Sequence, residues 1–177
     1  MKQGPVLASR PVVGAVLLAA GGLTAAAAHG PAAHADQASD TVQANVAVSS
    51  AISLTGLTES FTLSGPPNTT VTQNGAVSYT VTSNNAGGFT VSVRANDDHL
   101  APQALGNPDT IPVGNLELRP NGQVLWRPLT TTDQVLRNVD GPTAPGGDNY
   151  STDYRVHIPN VRSDTYSVTL TYTAATK

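Results

Sequence analysis

From Val42 onward the chain alternates apolar and small polar residues almost without interruption, the two-residue period of half-buried β-strands. No window sustains a helical period. Val42, Ala44, Val46, Val48, Ile52 and Leu54 share one parity, broken only at Ser50, which predicts a long first strand bent near Ser49 and Ser50. Phe61 and Leu63, flanked by Ser60, Thr62 and Ser64, predict a short second strand before the Gly65-Pro66-Pro67 loop. Val77, Tyr79 and Val81 mark a third strand, and Phe89, Val91 and Val93 a fourth. Between them Asn84-Asn85-Ala86-Gly87-Gly88 tolerates positive φ and predicts a hairpin loop joining antiparallel neighbours. Tyr166, Val168, Leu170 and Tyr172, set against serine and threonine, predict one closing strand with a solvated Thr face.

The stretch from Leu116 to Trp126 predicts a hairpin whose register follows from its turn. A two-residue Asn121-Gly122 turn would ask Pro120 for an N–H it lacks, so a three-residue loop with Pro120 at its second position is preferred. Leu118 then faces Val124 and Leu116 faces Trp126, which puts Trp126 inside. Residues 128–150 break every pattern except a short strand over Gln134 to Val139, predicting a long surface loop, and Tyr154, Val156 and Ile158 restore a strand. Asp97 to Ile111 is too long for a tight hairpin and is expected to cross between sheets.

Eight or nine strands without helices predict an all-β, two-sheet antiparallel β-sandwich of the Ig-like or Greek-key kind, one domain over 42–177. No internal repeat is visible.

Ahead of this domain, Lys2 and Arg10, an apolar run from Val12 through the following alanines, and Ala33-His34-Ala35 read as a signal peptide over 1–35, cleaved after Ala35. The alternative is an uncleaved anchor over 12–28. Residues 36–41 are expected to be a flexible N-terminus. Removing residues 1–35 from 177 leaves 142, enough for one self-sufficient core. The mature portion carries 7 basic and 12 acidic residues, a net charge of −5, and its arginines are scattered, so nucleic acid is not an expected partner. The chain has no cysteine, which removes disulfides, thiol catalysis and a lipid-modified cysteine anchor. No second apolar run spans a bilayer and TYTAATK shows no sorting signal, so the mature protein is expected outside the cell, without a membrane span, soluble or bound non-covalently to a surface.

Candidate chemistry is sparse. A serine hydrolase needs Ser, His and a carboxylate together, and only His99 and His157 remain after the leader; no G-x-S-x-G occurs. Neither a triad nor a glycosidase carboxylate pair is singled out, and the expectation is that the protein is not an enzyme. No cofactor is expected beyond calcium, for which the weak candidates are Asp97, Asp98, Asp148 and Asp153 in acidic stretches, with solvated turn carboxylates as the alternative. Asn68 and Asn149 begin N-x-S/T sequons in expected loops. Tyr154, Tyr166 and Tyr172 have core parity, one of them suited to a corner tyrosine, while Tyr150 is a candidate for exposed ligand contact.

The phrasing NVAVSSAISLTGL, SFTLSG, GAVSYTVTSNNAGGFTVSV, DTIPVGNLELRPNG and GGDNYSTDYRVHIPNVRSDTYSVTLTYTA resembles secreted β-sandwich proteins of Gram-positive bacteria, nearest to the WxL-type surface domain, over most of residues 42–174. The leader is similar to those of actinobacteria. The resemblance implies a non-enzymatic, cell-wall-associated module. The family's Trp-x-Leu signature reads Trp126-Arg127-Pro128 here, and Leu170-Thr171-Tyr172 stands where the family places its last tryptophan. The expected partners are a cell-wall polymer or other surface proteins; a carbohydrate-binding or calcium-stabilised adhesion domain is the alternative, and a secreted hydrolase the next.

Overall fold

The computed structural model describes residues 36–177; the signal peptide, its cleavage site and the alternative anchor lie outside the described residues. Residues 36–45 belong to a unit of their own and form no regular element, their side chains exposed. The second unit, 46–177, is all β.

Its strands are β1 (Ile52–Thr55), β2 (Thr69–Ser83), β3 (Phe89–Ala95), β4 (His99–Pro102), β5 (Ile111–Pro112), β6 (Leu116–Pro120), β7 (Arg127–Pro128), β8 (Gln134–Val139), β9 (Asp148–Ile158), β10 (Tyr166–Ser167) and β11 (Leu170–Thr176). A five-stranded sheet runs β1-β2-β9-β6-β7, and three-stranded sheets run β11-β3-β8 and β10-β4-β5. Every pairing is antiparallel. The two smaller sheets are successive along the chain, β3 leading to β4 and β10 to β11. Asn96 joins them: its N–H donates to the Thr169 carbonyl and its side-chain oxygen accepts from the Thr169 N–H, both at 3.0 Å.

The fold is the expected all-β antiparallel sandwich, with its strands divided among three sheets where two were expected, and its core obeys the predicted parity. Val77, Tyr79 and Val81 of β2, Tyr154 and Val156 of β9, and Leu116 and Leu118 of β6 share one cluster with Phe89, Val91 and Val93 of β3. Burying each such side chain stabilises the fold by roughly 1.5–3 kcal/mol. The core is also rich in tyrosine. The Tyr79 ring lies 5.8 Å from Tyr150 and 5.4 Å from Tyr172, and the Tyr154 and Tyr172 hydroxyls meet at 2.7 Å. Loss of solvent pushes the phenols of Tyr79, Tyr150 and Tyr154 above their ordinary range and that of Tyr172 up to about 12.

Several local expectations are corrected. The first strand is short: only Ile52–Thr55 pairs, the Asn84 side chain accepts from the Ala51 N–H at 2.7 Å and donates to the Ser49 carbonyl at 2.9 Å, and among the described residues no strand pairs with those before Ile52. Phe61 and Leu63 form no strand, yet both pack on the core, Phe61 at 4.7 Å from the Tyr154 ring. Asn84–Gly88 is not a hairpin loop. It carries the chain from one sheet to another, tied by Asn85, whose amide donates to the carbonyls of Gly88 and Lys177.

Asp97–Ile111 does not cross between sheets; it folds back within one, pairing Leu100 with Ile111, and a 3-10 turn at Val113–Asn115 makes the crossing. The last strand is split at Val168-Thr169 into β10 and β11. The irregular stretch ends early, since β9 begins at Asp148 and takes in the Asn149 sequon.

The hairpin after β6 departs most. Gln123 N–H donates to the Pro120 carbonyl at 3.0 Å and Gly122 has φ +87°, a turn centred on Asn121 and Gly122 with glycine at the position that needs positive φ. Pro120 supplies only its carbonyl, so the turn makes no demand on its missing N–H. Residues 123–126 leave the ladder, and pairing resumes with Leu118 opposite Arg127 rather than Val124. The offset of three residues is odd, so the returning segment turns over. Trp126, expected inside, lies half-buried on the outer face, and Val124 and Leu125 are 81% and 79% exposed.

Candidate functional site

On the outer face of the five-stranded sheet, alternate residues of β6 and β9 place Glu117, Arg119, Asp153 and Arg155 side by side, with Leu116, Leu118, Tyr154 and Val156 facing the core. Register sets Glu117 opposite Arg155 and Arg119 opposite Asp153. Both pairs are closed: Arg119 Nε donates to Asp153 at 2.9 Å, and Arg155 Nε donates to Glu117. The Trp126 ring lies against both guanidiniums, 4.5 Å from Arg119 and 4.6 Å from Arg155. Contacts of this kind contribute about 0.5–1 kcal/mol each where water has access. A bulge in β2 between Gln73 and Val77 brings the Gly75 N–H to 2.7 Å from the second oxygen of Asp153.

Beside this cluster runs the seam between β7 and β8, edge strands that do not pair with each other. Long side chains bridge it instead. Arg127 donates to the Val135 carbonyl at 2.9 Å, Gln134 to that of Pro128 at 2.9 Å, and Arg137 to that of Asn121 at 3.0 Å. Pro120, Gln123, Leu125, Arg127, Val135 and Leu136 line a groove of about 300 Å³ there. Leu125, largely exposed, and Val135, half-exposed, give its mouth apolar edges.

The acidic candidates part company. Asp97, Asp98 and His99 are exposed, with ligand atoms within 4.8 Å of one another, and the His99 ring bonds Asp98 at 2.6 Å, which holds the Asp98 carboxyl below its usual range. Asp97 and His99 also line a second groove of about 200 Å³ with Ser167 and Thr169. Asp148 and Asp153 do not meet: they stand on β9 with opposite parity, Asp148 bonded by the Tyr150 hydroxyl and the Ala144 N–H, and Asp153 held by Arg119 and Gly75. Tyr150, expected to be exposed, is half-buried against Tyr79 and Phe89 with Arg137 over its ring. Tyr166 donates to the carbonyl of Arg162, four residues upstream, in the manner of a corner tyrosine. His157 is exposed on the outer face of β9, 3.4 Å from Thr70 Oγ1.

The sequence reading missed the outer cluster and the groove. One signal was present in Val124-Leu125-Trp126: three successive apolar residues cannot all face inward on a strand of period two. Compared with models of known protein families and with curated protein sequences, the chain has no match.

Proposed function

We propose that the chain is a secreted, non-enzymatic β-sandwich module, WxL-like, that associates non-covalently with the cell envelope or with other surface proteins. The observation that carries this reading is the division of labour on the surface. The charged side chains around Trp126 are spent on one another, while the large side chains left open beside them, Val124, Leu125 and Val135, are apolar. Exposed apolar side chains beside mutually satisfied charges suit recognition of a partner by contact. The leader motivates export.

Fractionation of the producing culture tests the proposal. Protein in the wall fraction, and retention of the purified chain on isolated cell wall or on surface proteins, is expected; protein found solely free in the medium and unretained would sink it.

The Asp97-Asp98-His99 cluster favours one second reading, a calcium-stabilised adhesion domain, because two carboxylates already stand within reach of one ion. A melting temperature raised by calcium and lowered by chelator supports it, and an unchanged one rejects it.

A further inference from the structure

Two features of the described residues are complementary in polarity and charge. The first is the N-terminal arm. Asp40, Val42, Ala44, Val46 and Val48 share one parity, so as a strand the arm has an apolar face ending in a carboxylate, and Val42, Val46 and Val48 are 94%, 88% and 80% exposed. The arm from Asp36 to Ser50 has two acidic residues and no basic one. The second feature is the seam between β7 and β8, with its apolar mouth and two edge strands. Among the described residues Arg127 and Arg137 are the two arginines with no carboxylate partner, and both bridge this seam. Arg137 Nε, moreover, is buried without a hydrogen-bond partner.

Reach excludes Val46 and Val48 of a copy from its own groove. Asn84 pins Ser49 and Ala51 beside β1, and β1 and β7 stand at opposite edges of the five-stranded sheet. Four strand spacings of about 4.8 Å separate those edges by roughly 19 Å. Val48 is one residue from the pinned Ser49 and Val46 three, a span of at most about 11 Å. A copy cannot lay these valines in its own groove.

We infer that the seam between β7 and β8 receives the arm of a second copy of this chain as an added strand, Val46 and Val48 covering Leu125 and Val135 and Asp40 answering the unpaired arginines. Edge strands accept such additions; β7 is blunted by Pro128, while β8, Gln134–Val139, carries no proline or lysine and offers the longer edge. Each copy offers one arm and one groove, so copies associate by exchanging arms or by linking head-to-tail. This inference stands independently of envelope attachment.

The absence of native cysteine makes the test direct. Exported chains carrying Val46→Cys and Leu125→Cys are mixed under mild oxidation, and the sedimentation of the wild-type chain is followed with concentration. Mixed disulfide dimers, and a wild-type chain that associates as its concentration rises, are expected. Val135→Asp, at a half-exposed position and with its folding checked by thermal unfolding, should raise the dissociation constant about tenfold or more, as should Val46→Asp with Val48→Asp in the exposed arm. A wild-type chain that stays monomeric at every concentration overturns the proposal. So does a Val46→Cys, Leu125→Cys double variant that closes its disulfide within one monomer, or a groove variant that assembles as well as wild type.

Discussion

Asp153, only 4% exposed on the outer side of β9, takes the Arg119 guanidinium of β6 at 2.9 Å and so joins two neighbouring strands across their side chains. Its other oxygen holds the Gly75 amide in the β2 bulge, so one carboxylate ties three strands of the sheet. Removing it strands two donors. Asp153→Ala should cost about 2–4 kcal/mol in urea unfolding, and a double-mutant cycle with Arg119→Met should show about 1–3 kcal/mol of coupling. Additive losses would mean that the pair is solvated and structurally idle.

Gly88 immediately precedes β3, where the chain passes from the five-stranded sheet to the β11-β3-β8 sheet, with φ +90°. A Cβ there would lie 2.0 Å from the Val139 carbonyl oxygen, backbone that cannot move aside without breaking the Phe89 and Val139 pairing. Gly88→Ala should therefore lower stability by about 3 kcal/mol or more. Gly122→Ala is the control, since it has comparable φ but open space around it, and strain alone should cost about 1–2 kcal/mol. Equal losses in thermal unfolding would remove the steric argument.

The sandwich and its core faces were legible because burial on a strand has period two, and β3 keeps that alternation from Phe89 to Ala95. What periodicity does not encode is which strand lies beside which. Asn84–Gly88 has the composition of a hairpin loop, but the Asn85 amide ties it to the Lys177 carbonyl, 92 residues away, and the segment crosses between sheets. The Trp126 cluster was hidden by one odd register offset, which moved a residue expected in the core onto the outer face. Asp153 looked like a loop carboxylate for a similar reason: its partner Arg119 is 34 residues away along the chain.

Trp126 is the sole tryptophan, so its fluorescence reports the outer cluster alone. Wedged between Arg119 and Arg155, it should show emission and acrylamide quenching between those of a buried and a free indole. Arg119→Met and Arg155→Met should each increase quenching, and Trp126→Ala should destabilise the fold by about 1–2 kcal/mol. Quenching equal to that of free tryptophan in the wild-type chain would show that neither arginine covers the ring.

The buried tyrosines make stability fall at alkaline pH. The phenols of Tyr79, Tyr154 and Tyr172 ionise above 10.0 in the folded chain because burial disfavours the phenolate, and the Tyr154 and Tyr172 hydroxyls also face one another. Between the ordinary tyrosine value of 10.0 and the value of about 12 reached by Tyr172, the unfolded chain has released protons that the folded chain keeps. The stabilisation is complete below pH 10 and is lost as the pH rises, at up to about 1.4 kcal/mol per pH unit for each such tyrosine. Unfolding followed from pH 8 to 12, with phenolate absorbance as a second signal, should show ionisation and unfolding together. Tyr172→Phe removes one proton and one hydrogen bond, so it should cost about 1 kcal/mol near pH 8 and flatten the alkaline slope. A variant slope as steep as wild type would mean that Tyr172 ionises without unfolding the sandwich.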